Sequence, residues 1–98
     1  MAAGASEQAR HVWAEVHGRV QGVGFRYFVR DAACRLKLSG WVRNREDGGV
    51  ELEAQGLPDE VKVFLLEIHE GPPLSYVSDV KVRELPPEKH EQIFEIRF

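Results

Sequence analysis

The spacing of apolar residues changes along this chain from every second position to every third or fourth and back, and the order of those changes leaves few folds open. From His11 to Gly18, Val12, Ala14 and Val16 alternate with Trp13, Glu15 and His17, the period of a half-buried strand. After a glycine-rich turn, Phe25, Phe28, Val29, Ala32, Ala33 and Leu36 recur at three- and four-residue steps, which predicts a helix from Phe25 to Leu38. Trp41 to Glu46 reads as a second strand. Asp47, Gly48 and Gly49 tolerate the positive φ of a tight turn, and Val50, Leu52 and Ala54 then alternate with Glu51, Glu53 and Gln55. The pair is a hairpin with one dry and one wet face. Leu57-Pro58-Asp59-Glu60 opens a second helix, because proline pre-sets the first turn and two carboxylates complement the positive end of the helix dipole. Val61, Phe64, Leu65 and Ile68 form its apolar stripe, and Gly71-Pro72-Pro73 ends it. Tyr76 to Leu85 and Ile93 to Phe98 supply the last alternating runs.

Strand, helix, strand, strand, helix, strand, with a short final strand, is the order of a split βαβ unit. It predicts an α+β, ferredoxin-like βαββαβ sandwich, with two helices on one face of an antiparallel sheet. The length of 98 residues allows one such domain, expected over residues 11–98. Residues 1–10 are expected to be a flexible lead-in, since they lack the cationic start and apolar stretch of a signal peptide. A single cysteine, Cys34, closes no intramolecular disulfide, which favours a reducing compartment and the cytoplasm. The net charge of −3 gives no global attraction to nucleic acid or anionic lipid, so neither is expected as a partner and any anion must be held locally. A monomer is expected.

In this topology the first two strands run in the same direction. Their C-terminal ends share an edge of the sheet, so the glycine-rich turn and Asn44 become neighbours. Asn44 has the parity of Val42; if Val42 faces the helices, Asn44 sits beside the start of the first helix.

The turn itself, Gly18-Arg19-Val20-Gln21-Gly22-Val23-Gly24-Phe25-Arg26, separates a strand from a helix. Such a turn can aim consecutive backbone N–H groups into one concavity, to which the helix adds its own unpaired N–H groups and dipole. Arg26 adds a planar fork matched to two phosphate oxygens. A cation in the first helical turn opposes the dipole by a few tenths of a kcal/mol, so an arginine there is best explained by a bound anion. The plainer alternative, a tight turn followed by a solvated arginine, remains open on these residues alone. Two other glycine motifs are excluded. A Walker A loop needs Lys and then Ser or Thr after the last glycine, where this chain has Phe25 and Arg26, and the dinucleotide fingerprint needs a third glycine where it has Tyr27.

The segment GRVQGVGFR, followed by GWVRNREDGGVE, closely resembles the paired signatures of the acylphosphatase family, and the likeness extends over His11 to Phe98. The resemblance implies hydrolysis of the carboxyl-phosphate bond of acyl phosphates to carboxylate and inorganic phosphate, without metal or other cofactor. It implies that Arg26 binds the phosphoryl group, that Asn44 orients the attacking water, and that the backbone of Gln21, Gly22, Val23, Gly24 and Phe25 completes the cradle. The chemistry fits these residue types. An acyl phosphate has a good leaving group, so positioning and charge stabilisation suffice, and an asparagine can donate and accept at once to hold water in line.

The remaining candidates read as structural. His11, His17, His69 and His90 lack metal-ligand spacing and are expected at the surface or a strand edge. Trp13 and Trp41 are expected to cover the open sheet face. Cys34 flanks the apolar stripe and is expected to be partly buried, and Asp31 with Arg35 has the spacing of a helix-surface pair. Two rival functions use the same fold. An RNA-recognition module needs exposed aromatics in a basic stretch of the third strand, where this chain has Glu51, Glu53 and Gln55. An accessory domain that holds an acyl or carbamoyl phosphate without turnover keeps the cradle, and phosphate release separates it from an enzyme.

Overall fold

The computed structural model describes residues 9–89 and 92–98. Along the chain come β1 (Arg10–Arg19), α1 (Phe25–Arg35), β2 (Ser39–Asn44), β3 (Val50–Gly56), α2 (Pro58–Glu70), β4 (Tyr76–Leu85) and β5 (Phe94–Arg97). The strands form one sheet in the order β4-β1-β3-β2-β5. Both helices pack on one face, where Val12, Ala14, Val16, Val42, Leu52 and Ala54 are buried against Val29, Ala33, Val61, Phe64 and Ile68. The α+β, ferredoxin-like arrangement expected from the periodicity is the fold observed.

The sheet is mixed, however, and not antiparallel throughout. β1 pairs antiparallel with β3 and β4, and β2 with β3, but β5 runs parallel to β2. β4 and β5 lie at opposite edges, so the chain between them crosses the width of the sheet instead of turning back as a hairpin. Residues Pro86 to Glu88 make the start of that crossing: the Pro86 carbonyl meets His11 Nδ1 at 2.9 Å, and the Gln55 amide bonds both the Glu88 carbonyl and its N–H. This cover buries His11 to 3% exposure on an interior strand, contrary to the surface or strand-edge position expected for it.

α1 stops at Arg35, short of the expected Leu38. Lys37 takes φ +59, Leu38 N–H reaches back to the Ala33 carbonyl at 2.8 Å, and Lys37 N–H to that of Cys34 at 3.1 Å. That is a Schellman close with lysine where glycine is usual, so no residue type marked the end. β2 likewise ends at Asn44 and not Glu46, because Arg45 already belongs to the turn: its N–H donates to the Gly49 carbonyl at 2.8 Å. Two further corrections concern side chains. Cys34 is exposed. Arg35 pairs with Glu67 on α2, while Asp31 pairs with its neighbour Arg30, so the expected Asp31–Arg35 pair does not form.

Candidate active site

The turn after β1 is built by glycines with distinct tasks. At Gly18 the pairing with β4 shifts register, φ is +128°, and a Cβ would lie 2.0 Å from the Tyr76 carbonyl oxygen, so no side chain fits. Gly22 and Gly24 both have φ +76, in the left-handed region, with nothing within 4 Å of a Cβ. Their requirement is therefore one of backbone conformation and not of space. Val20 and Phe25 are buried to 1% and 2% exposure at either end of this stretch, which fixes both ends of the loop while Gly22 and Gly24 stay exposed. Each such burial is worth about 1.5–3 kcal/mol.

Gly24 is the N-cap of α1 and brings no side chain to cap it; the first intrahelical bond runs from Phe28 N–H to the Gly24 carbonyl at 3.0 Å. The N–H groups of the first turn thus have no capping side chain. The first turn of α1 contains no acid, whereas that of α2 contains Asp59 and Glu60. Arg26 adds a full positive charge at this uncompensated end.

Arg10, Arg30, Arg35, Arg43, Arg45 and Arg97 each pair with a carboxylate. Among the described residues Arg19, Arg26 and Arg83 are the arginines without a carboxylate partner, and of the three Arg26 alone stands in the first turn of a helix. Arg26 Nη1 donates to the Arg97 carbonyl at 3.2 Å, and its guanidinium lies 4.5 Å from the centre of the Phe98 ring. These contacts orient the guanidinium without neutralising it. Sequence reading missed Arg97 and Phe98, which lie some seventy positions away and reach Arg26 only because β5 lies beside β2.

Asn44 is the last residue of β2, exposed and paired with Val50. It lines a groove with Arg43, Arg45, Asp47, Glu51 and Phe98. Phe98 thus lines the groove with Asn44 and also touches the Arg26 guanidinium. The expected neighbourhood of turn and hairpin is also present: the Gln21 amide nitrogen donates to the Arg45 and Gly49 carbonyls, both at 2.8 Å.

Behind the hairpin lies a charged network. Arg45 reaches Asp47 at 3.0 Å, Glu15 at 3.5 Å and Glu51 at 3.5 Å, and His17 Nε2 lies 2.5 Å from Glu15. The Arg45 guanidinium and the Gly49 N–H hold the Asp47 carboxyl down at about 2. Burial pushes the Glu51 carboxyl up, but the Trp13 indole N–H and Arg43 outweigh it and hold it below the ordinary glutamate value. Folding gathers Glu15, His17 and Asp47 so that their ligating atoms lie within 4.8 Å, a grouping that linear spacing did not reveal. The Arg45 guanidinium already lies 3.0 Å from Asp47 and 3.5 Å from Glu15, so a divalent cation there would face its charge at close range.

Elsewhere on the open sheet face the tryptophans pack under cations: Arg83 covers Trp13 at 5.2 Å, and Arg97 and Arg43 flank Trp41 at 4.8 and 5.5 Å. A cavity of about 320 Å³ there is walled by Glu53, Glu88 and Glu95 beside His11 and Trp41. Arg97 also lines it but is paired with Glu95, and the surplus of acids makes the cavity unsuited to a phosphoryl group. His69 bonds the Leu65 carbonyl of its own helix at 2.9 Å, and His90 lies outside the described residues.

Comparison with known proteins supplies an independent line. The Acylphosphatase family profile matches residues 12–96. The acylphosphatase of Bacillus licheniformis is 61% identical over 69 residues, covering 70% of this chain and 77% of the relative. That of Bacillus pumilus is 46% identical over 89% of this chain and 97% of its own. The crystal structure of acylphosphatase from Bacillus subtilis superposes with a TM-score of 0.87 at 42% identity, covering 91% of this chain and 99% of that one. A glycine turn leading into a helix start without a capping side chain, and a family profile that matches nearly the full length, agree: the chain belongs to the acylphosphatase family.

Proposed function

We propose that this acylphosphatase-family hydrolase cleaves acyl phosphates by binding the phosphoryl group between the Gln21–Phe25 backbone and Arg26, with the attacking water held by Asn44. The observation that carries this reading is Arg26, oriented by Arg97 and Phe98 yet without a carboxylate partner among the described residues, at a helix start that has neither acid nor capping side chain. Unpaired N–H groups, dipole and guanidinium all favour an anion at one place. Backbone N–H groups and the arginine fork bind the equatorial oxygens, over which the charge of the transferred phosphoryl group is spread in the transition state. Water attacks phosphorus, the bond from phosphorus to the acyl oxygen breaks, and the carboxylate leaves with that electron pair. The water's proton passes to a phosphoryl oxygen, so carboxylate and inorganic phosphate are the products and no metal, other cofactor or protein base is required.

The accompanying expectations are a monomer in the cytoplasm, with a small acyl phosphate as its only partner. The lone exposed Cys34 supports a reducing compartment. No helix among the described residues is long and apolar enough to cross a membrane. A nucleic-acid partner is disfavoured by Glu51 and Glu53 on the open face, whose neighbouring Arg43 is already paired with Glu51.

The test is phosphate release from acetyl phosphate. Wild type turns over, whereas Arg26→Ala and Arg26→Lys each lose about 10²-fold or more, since lysine cannot reproduce the fork. Turnover near wild type in either variant refutes the cradle, and no turnover by wild type makes the domain a holder of acyl phosphate. A basic limb in the pH–rate profile that disappears on replacing one histidine would assign the proton to that histidine instead.

A further inference from the structure

β1 delivers the phosphoryl loop and β2 delivers Asn44, yet β3 separates the two strands in the sheet, so no ladder hydrogen bond joins them directly. Adjacent strands lie about 4.8 Å apart, and two intervals separate β1 from β2. One side chain closes that gap directly. Both N–H groups of the Gln21 amide are donated across the end of the sheet, to Arg45 and Gly49 at 2.8 Å each. The orientation of the amide is forced, because two carbonyl oxygens can only accept.

The same two oxygens close the hairpin turn. Gly49 O accepts from Arg45 N–H at 2.8 Å, and Arg45 O accepts from Gly48 N–H at 3.3 Å. With Gln21 in place each oxygen accepts two hydrogen bonds, and the amide becomes part of the turn. Arg45 directly follows Asn44, while Gln21 sits inside the loop that forms the cradle. Gly22 and Gly24, both in left-handed conformation, give that loop no rigidity of their own.

We infer that the Gln21 side chain is a positioning residue that sets the distance from the phosphoryl cradle to the Asn44-held water, and so governs kcat rather than phosphate affinity. The inference rests on the catalytic reading above. Phosphate affinity is expected to survive loss of this side chain because the cradle has its own anchors: Val20 and Phe25 are buried at either end, and Arg26 is held from β5. Asn44 is tied to β1 through Val50 of β3, which pairs with both Val16 and Asn44, and the Gln21 amide adds the direct link from the loop itself. Misplacing a reacting group by about 1 Å can cost 10²-fold.

The experiment compares wild type, Gln21→Met, Gln21→Glu, Asn44→Ala and the Gln21→Met/Asn44→Ala double variant, measuring kcat on acetyl phosphate and inhibition by inorganic phosphate. Gln21→Met is expected to lower kcat about 10- to 100-fold while the phosphate inhibition constant stays within about threefold. Gln21→Glu, which sets a carboxylate against two carbonyl oxygens at unchanged length, falls further. In the Asn44→Ala background Gln21→Met changes kcat less than about twofold, since no held water remains to be misplaced. An unchanged kcat in Gln21→Met, or a loss confined to phosphate binding, overturns the inference. A lowered kcat in Asn44→Ala with the full Gln21→Met effect still added to it overturns the inference alone. Wild-type kcat in Asn44→Ala overturns the catalytic reading and the inference with it. Should Gln21→Met not fold, hydrogen exchange of the Gln21 side-chain amide in the wild-type protein decides. Exchange about tenfold or more slower than that of exposed Gln92 supports the link, and equal rates overturn it.

Discussion

At Asp47 a single carboxylate accepts from the Arg45 guanidinium at 3.1 Å and from the Gly49 N–H at 3.0 Å, and its pKa falls from 3.8 to about 2. The unfolded chain therefore takes up this proton at a higher pH than the folded one does. The stabilisation is complete above about pH 4 and is lost as pH falls through about 2. Replacing Asp47 by Asn should flatten that acid limb in urea unfolding followed between pH 5 and 2; an unchanged limb would show that the turn does not depend on this carboxylate. The places of Arg26, Asn44 and the turn glycines at the edge of the sheet were readable from residue type and position, and the roles proposed for them rest on the chemistry of those residue types. Gln21 was readable only as backbone. Its side-chain bonds span 24 and 28 positions, and nothing within the loop indicates where a long amide will reach.

Strands and helices were largely legible, since period and burial coincide; β4, for example, has the expected Tyr76–Leu85 bounds. Ends were legible only where a residue type marks them. Pro58 and Gly71 flank α2 as read, but the close of α1 rests on Lys37 at φ +59, a conformation that costs an L residue about 1–2 kcal/mol. Lys37→Gly removes that strain and adds some freedom to the unfolded chain, for a net gain of about 0.5–1 kcal/mol in urea denaturation. A loss of stability would mean that the lysine side chain contributes more than its backbone costs. The hairpin was placed correctly, and its tightness comes from a contact that no pattern announces. A Cβ at Gly49 would lie 2.8 Å from the Val16 carbonyl, so this glycine lets the turn close against β1.

Across the whole molecule the decisive feature is where β5 goes. Its parallel pairing with β2 carries the end of the chain over the start of α1, where Arg97 and Phe98 take hold of Arg26. Phe98 is 95% exposed, so its ring supports the arginine far more than the core. Phe98→Ala should leave the melting temperature within about 2 °C, in keeping with a surface substitution. It should lower kcat/KM on acetyl phosphate about two- to fivefold, the equivalent of about 0.5–1 kcal/mol for an exposed cation–π contact. A large fall in melting temperature with unchanged kcat/KM would assign Phe98 to packing. The linear chain by itself determined the elements, their order, the dry face of the sheet and the glycine turn ahead of the first helix, because these follow from local periodicity and backbone freedom. Only the tertiary structure decided the burial of His11, the parallel last strand, the grip of the chain's end on Arg26 and the Gln21 link to the hairpin. Each of these depends on residues far apart in sequence meeting at one end or edge of the sheet, and such meetings leave no periodic trace in the chain.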